Sequence, residues 1–435
     1  MAVDSVSKFT AILQRYHLLE PAQHAEAVGP LAQAFPNPKN LAGELIRRGW
    51  LTPYQVNQIF QGRASDLLLE SYVLLERLGE GGMGQVFKAR NWKLNRPVAL
   101  KIIRKERLNN PEIVHRFQRE VRASARLNHP NVVHAFDCGE CDQRHFYVME
   151  YVDGLDLAKH VRRNGPLPIE QACDCIRQAA LGLQHAYERG LVHRDIKPHN
   201  LLLAKGSDGQ PLIKILDMGL ARLDRGEDSM NSGTMTHEGA VMGTLDYIAP
   251  EQARNAHLAD TRADLYSLGC TLYYLLTGQP VFPSGTPTEK LLKHQFQPPP
   301  SVHAHRTDVP ASLAAVLQRL LAKQPEQRFQ TPAETAAAMS AILNRAAVPV
   351  GQIAAGVAPV DAPLSDDGMF LPPAAPGEEM ADTVAGWSEI IEAPPIGSSS
   401  SYRRRRADQR QHLVMWSVIG SLTLLALITL LLILL

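Results

Sequence analysis

The string LVHRDIKPHN sets Asp195, Lys197 and Asn200 close together behind His193 and Arg194. A carboxylate at Asp195 can accept the proton of an attacking hydroxyl. Asn200 can bind a metal through its amide oxygen, and Lys197 can neutralise charge on a phosphoryl group in flight. Further along, ILDMGLAR offers another carboxylate at Asp217, followed by Met218 and Gly219. Together these residues have the makings of a metal-assisted phosphoryl-transfer site.

Such a site needs something to hold phosphates. LGEGGMGQVFKA supplies Gly79, Gly81, Gly84 and Val86 in the spacing G-x-G-x-x-G-x-V, with Glu80, Gly82, Met83 and Gln85 between them. Glycines let a tight turn bring its N–H groups against phosphate oxygens, where a Cβ would obstruct. A dinucleotide-binding turn shares the first six positions but continues into a helix, whereas QVFKAR reads as another strand. Lys101 lies inside the apolar strand pattern VALKII, where a lysine is otherwise out of place; a cation aimed at phosphates explains it, the alternative being a strand-end lysine that reaches solvent. Glu120 in RFQREVRASARLNHP is its natural counter-ion, carried on a helix.

With these motifs in this order, residues 72 to about 345 resemble a eukaryotic-type serine/threonine protein kinase domain of the bacterial branch. The resemblance implies an α+β, bilobal fold, with a small β-rich N-lobe and a larger helical C-lobe. It implies ATP and Mg2+ as cofactors, and protein Ser/Thr hydroxyls as acceptors. Lys101 would pair with Glu120 and the α and β phosphates, Asp195 would be the catalytic base, and Asn200 with Asp217 would hold the metal. MEYV resembles the family's hinge: Met149 as gatekeeper, the backbone of Glu150 and Val152 against adenine, and Asp156 touching ribose. Leu78, Val86, Ala99 and Leu202 would sandwich the base.

Downstream, GTLDYIAPE supplies Thr244 and the Ala249, Pro250, Glu251 end of an activation segment. Asp264 lies in DLYSLG, and Arg328 in PEQRF is similar to the arginine that pairs with that glutamate. Arg194, directly before the base, resembles the residue that grips a phosphate on the activation segment. Thr236 is the first candidate for that phosphate and Thr234 the second, with Ser229 and Ser232 also in DSMNSGTMTHEG.

Composition sets the surroundings. Lys+Arg number 45 against Asp+Glu 44, so no basic excess points to a nucleic-acid partner. Five sparse cysteines read as reduced thiols. Cys138 and Cys141 have zinc-ligand spacing, but Cys173 and Cys175 make a poor second pair, so the reading is a hairpin turn with free thiols.

Residues 1–68 read as a small helical region with no evident chemistry. Thr52, Pro53 and Gln55 fit an N-cap, a first-turn proline and a capping box. Residues 348–402 turn to Ala, Pro, Gly and Ser with acidic residues and no Lys or Arg, the composition of a disordered tether. A basic segment, 403–412, then precedes 413–435, LVMWSVIGSLTLLALITLLLILL. That run is 23 residues without a charge, about 35 Å as a helix, enough to cross a membrane. The opening MAVDSVSKFT lacks a signal-peptide pattern. Basic flanks stay on the cytoplasmic side, so the expected arrangement is a single-pass membrane protein with a cytoplasmic kinase domain and no sensor beyond the bilayer. Neighbours tethered on one surface could phosphorylate each other by self-association.

Two rivals stand beside the active kinase. A pseudokinase scaffold predicts a gap among Lys101, Glu120, Asp195, Asn200 and Asp217, and the sequence has none. A small-molecule phosphotransferase of similar fold is disfavoured by GTLDYIAPE, which resembles a peptide-binding segment.

Overall fold

The computed structural model describes residues 3–80, 84–103, 121–218, 245–255 and 259–346, all within one compact unit, Met1–Pro373. Five helices come first: α1 (Val6–Arg15), α2 (Pro21–Val28), α3 (Pro30–Ala34), α4 (Pro38–Arg47) and α5 (Pro53–Phe60). The N-cap oxygen of Thr52 accepts from Gln55 N–H, and the Gln55 side chain returns to the Thr52 N–H, completing the capping box legible in the sequence.

An antiparallel six-stranded sheet follows, built from β1 (Leu68–Leu69), β2 (Tyr72–Glu80), β3 (Gly84–Asn91), β4 (Arg96–Ile103), β5 (Ala135–Cys141) and β6 (Arg144–Glu150), in the order β1-β2-β3-β4-β6-β5. Alternation along each strand sorts its side chains onto two faces. Val98 and Leu100 of β4 join Phe146 and Val148 of β6 in one core, while Ala99 and Ile103 join Tyr147 and Met149 in another. Lys101 shares the second face by parity, opposite Tyr147 in the β4/β6 register. The first face is covered by the N-terminal helices, whose Phe9, Leu13, Leu41, Leu45 and Ile59 belong to the same core. Residues 3–67 are thus packed into the sheet lobe.

The second lobe is mainly helical. A small sheet at its entrance, β7 (Gly154–Asp156), β8 (Leu201–Lys205) and β9 (Pro211–Ile215), runs in the order β7-β8-β9. Behind it, the helix Thr261–Thr277 is buried over nearly its whole length. Asp260 caps its start by accepting from Arg262 N–H, and Gly278, at φ 74°, ends it in the left-handed conformation that glycine adopts without a Cβ clash.

Cys138 and Cys141 are free thiols on strand β5, with the turn falling after them at Asp142 and Gln143. The hairpin-turn expectation is therefore corrected: residues opposite across β5 and β6 continue as far as Cys141 and Arg144. No helix among the described residues is long and apolar enough to cross a membrane. The tether 348–402, the basic segment 403–412 and the apolar run 413–435 lie outside the described residues, as do Gly81, Gly82, Met83, Glu120, Thr234, Thr236 and Thr244.

Candidate active site

The loop carrying Asp195 is held from behind. Asp264, buried on the helix Thr261–Thr277, accepts from the N–H groups of His193 at 2.8 Å and Arg194 at 2.6 Å. Arg194 adopts φ 67°, an uncommon conformation for a residue with a Cβ, and this pair of bonds offsets its cost. Gln252 adds a third tie, its Nε2 donating to the Arg194 carbonyl at 2.7 Å. His193 Nε2 lies 2.7 Å from the carbonyl of Leu216, so the Asp195 loop is joined to the strand end that presents Asp217.

On this support the three polar residues converge. Lys197 Nζ sits 2.7 Å from Asp195 Oδ2, and Asn200 Nδ2 donates to the Asp195 carbonyl at 2.7 Å and to Oδ2 at 2.9 Å. With its nitrogen committed to Asp195, Asn200 has its amide oxygen as the end suited to a cation. Asp217, also at positive φ (53°), receives Lys101 Nζ on Oδ2 at 2.8 Å. Burial opposes ionisation of Asp217. The charge and hydrogen bond of Lys101, helped by His193 and Lys197, outweigh it and hold the carboxyl below the usual range. Lys101 itself is buried, which excludes a strand-end lysine reaching into solvent.

Carboxylate and amide oxygens at Asp217 and Asn200 are the hard donors that Mg2+ prefers. Among the described residues no group of three His, Cys, Asp or Glu side chains could hold a metal alone. Phosphate oxygens would complete such a site, as is usual for Mg2+.

Above the polar residues lies an apolar bed. Ala99 and Met149 are buried in one cluster, with Val86, Val152 and Leu216 packed against it. Leu202 is partly buried on β8, and Leu78 is 41% exposed at the end of β2. Glu150 N–H donates to the His134 carbonyl at 2.8 Å, and the Glu150 carboxylate is neutralised by Lys214 at 2.8 Å. Asp156 lies opposite Leu202 in the β7/β8 register. Its oxygens are already engaged, Oδ1 capping the next helix at Lys159 N (2.8 Å) and Oδ2 meeting Lys159 Nζ (3.0 Å). The structure thus gives Asp156 a capping role.

The glycines divide by cause. A Cβ on Gly84 would collide with the Ile102 carbonyl oxygen, so glycine is required there by the close approach of β4. A Cβ on Gly79 would meet nothing within 4 Å, leaving open space beside the loop. Glu80 pairs with Arg77 at 2.6 Å, and Gln85, opposite Glu80 in the β2/β3 register, is partly buried.

At the acceptor side, Arg328 and Glu251 form a two-pronged ion pair at 2.7 and 2.8 Å, with the Arg328 side chain fully buried. Asp246 is tied to Lys290 at 2.5 Å, and Ser267 Oγ donates to the Tyr247 carbonyl at 2.6 Å. Ile196, Tyr247, Ile248 and Gln252 lie around Asp195. Met218 is 4% exposed, and its carbonyl accepts from the buried Ser124 hydroxyl at 3.2 Å. Sequence reasoning missed Ser124, Lys214, Gln252 and Lys290. Each acts across a long sequence separation and has no local pattern to mark it.

The family model for the protein kinase domain matches residues 72–340. The chain belongs to the protein kinase family. Its kinase domain is similar to that of the serine/threonine-protein kinase PknB of Mycobacterium tuberculosis, 39% identical over 281 residues, which are 64% of this chain and 44% of that one. It is also similar to serine/threonine-protein kinase PrkC of Bacillus subtilis, 37% identical over 260 residues, 60% of this chain and 38% of that one. The chain thus spans less than half the length of these relatives. Among solved structures, the M. tuberculosis PknI kinase domain superposes with a TM-score of 0.50 at 31% identity, covering 64% of this chain and 97% of that one. The two-lobed kinase fold is common to both.

Proposed function

We propose that the chain is a membrane-anchored serine/threonine protein kinase that transfers the γ-phosphoryl group of ATP to hydroxyls of proteins. The observation that carries this reading is the convergence of Asp195, Lys197 and Asn200 on one side and Lys101 with Asp217 on the other. The apolar bed around Ala99 and Met149 suits a purine, and Lys101 suits its phosphates. When bound, Mg2+ would neutralise charge developing on the phosphates. Asp195 would orient the acceptor hydroxyl and take its proton as oxygen attacks phosphorus, while Lys197, already against Asp195, would face the transferred group.

Serine and threonine as acceptors are supported by the names of the relatives and by Lys197 two residues beyond the base. The apolar run 413–435 after the arginines of 403–412 supports anchoring with the kinase domain on the cytoplasmic side. Arg194 supports activation by autophosphorylation, with Thr236 preferred over Thr234, and neighbouring copies on one membrane would act on each other. Phosphoamino-acid analysis of the chain incubated with labelled ATP tests the acceptor class. Label in phosphoserine and phosphothreonine, reduced by Thr236→Ala, is expected. Label confined to phosphotyrosine contradicts the assignment.

A further inference from the structure

The protein kinase match begins at residue 72, so helices α1 to α5 lie ahead of it and none of the chemistry above uses them. They nevertheless make specific polar contacts with the strand that leads into the glycine loop. Gln55 is 1% exposed, and its Nε2 donates to the Leu74 carbonyl at 2.9 Å while its Oε1 accepts from Thr52 N–H at 3.0 Å. The Thr52 hydroxyl donates to the Leu75 carbonyl.

The place they grip is irregular. Pairing of β2 with β3 slips between Leu74 and Glu76, so Leu75 has no partner residue there, and it slips again between Arg77 and Gly79. A bulge leaves main-chain groups without ladder partners and bends the strand. Thr52 and Gln55 supply hydrogen bonds to two consecutive carbonyls at the first slip. Beyond the second slip, Gly79 pairs with Val86, and Val86 with Lys101. The register fixed at Leu74 and Leu75 therefore propagates to the glycine loop and to its alignment with the lysine.

Further contacts keep the helices from sliding. Tyr54 packs on Phe87, with ring centroids 5.8 Å apart. At the far end of β3, Arg90 donates to the carbonyl of His17 at 3.2 Å and meets Glu20 at 3.4 Å, and His17 stacks on Trp92 at 4.0 Å.

We infer that the N-terminal helical bundle is a positioning element for the nucleotide loop, acting through the hydrogen bonds of Thr52 and Gln55 to the bulged carbonyls of Leu74 and Leu75. The inference rests on the reading of residues 79–86 as an ATP-binding loop. With Gly79 and Val86 held in register, the strand ends that bracket the loop are aligned with Lys101 before ATP arrives. Loss of that hold should weaken ATP binding more than it slows the chemical step.

The test is steady-state kinetics of the full chain with ATP and a generic basic protein substrate. Thr52→Val keeps the side-chain shape and removes the hydroxyl, Gln55→Met removes the amide, and Thr52→Ser restores a donor. The KM for ATP should rise about tenfold in the first two, the worth of one hydrogen bond in a buried site. The KM for protein and kcat should stay within about threefold, and Thr52→Ser should return to the parent value. Lys8→Ala, which alters only an exposed ion pair of the same bundle, serves as the control. If Gln55→Met does not fold, the Thr52 pair decides. An unchanged KM for ATP in folded Thr52→Val, or equal losses in all parameters, overturns the inference. Absence of ATP-dependent labelling in the parent chain would instead overturn the kinase reading itself.

Discussion

Lys101 on β4 and Asp217 beyond β9 meet at 2.8 Å, a contact that joins the sheet lobe to the segment proposed to hold the metal. Each group matters to the other: the lysine holds the carboxyl ionised, and the carboxylate gives the buried ammonium a partner. Lys101→Met should therefore do more than remove a phosphate contact. It leaves Asp217 without its main cation, so phosphoryl transfer should fall by at least about 10²-fold, the scale of losing one group that stabilises transition-state charge. Initial rates at saturating ATP and Mg2+ check this, and a loss below tenfold would contradict it.

Arg328 and Glu251 make a second test, on stability. The guanidinium is fully buried and also donates to the carbonyls of Ala322 and Arg262. Arg328→Met strands Glu251, and a broken buried pair costs about 3 to 5 kcal/mol. Urea unfolding should show that loss for the single variant. Arg328→Met combined with Glu251→Gln should lose less than the sum of the two singles, because the double variant leaves no charge stranded.

Glycine positions 79 and 84 should respond differently to the same methyl group. Gly84→Ala drives a Cβ toward the Ile102 carbonyl and should destabilise the sheet lobe by about 1 to 3 kcal/mol. Gly79→Ala meets open space and should stay within about 0.5 kcal/mol by the same thermal or urea measurement.

His294 supplies a pH dependence. It is buried, its ring lies 2.9 Å from the Tyr266 hydroxyl, and burial pushes its pKa down to about 3 with help from the charges of Lys323 and Lys290. The unfolded chain takes up a proton near pH 6.5. Between pH 6.5 and about 3 the unfolded state therefore binds more protons, and stability falls as pH is lowered through that window. The contribution is present in full above pH 6.5. Urea midpoints for the parent chain and His294→Gln, compared from pH 7 to pH 4, should converge as the parent loses this term.

The sequence made the site legible because its residues are close neighbours in sequence or lie on strongly patterned strands. Asp195, Lys197 and Asn200 occupy one loop, and Lys101 stands out against an apolar strand. The capping box at Thr52 was equally plain, being a local pattern. What it could not reveal was the use of that cap. The same two side chains that start α5 also reach Leu74 and Leu75, a contact set by how two segments pack. Ser124, Lys214 and Gln252 escaped for the same reason, each acting on a partner brought near only by the fold. Cys138 and Cys141 mislead in the opposite sense: their segment reads as a hairpin turn, yet it is the end of β5, with the turn just beyond.

Met218 illustrates how packing qualifies a motif. It is almost fully buried and has its carbonyl held by Ser124. A flexible thioether fills such a space nearly as well as a ring. Met218→Phe should keep phosphoryl transfer within about tenfold, the scale of a hydrophobic swap of under about 1.5 kcal/mol. Met218→Asp should abolish it by burying a charge.

Phosphate transfer by this chain should depend on Asp195 as its base. The most direct measurement is incorporation of label from γ-labelled ATP into the chain and into a basic protein substrate, with Mg2+ present, for the parent and Asp195→Ala. Clear labelling by the parent and a fall to background in the variant are expected. Equal background labelling in both would contradict that expectation and leave a kinase fold serving as a scaffold.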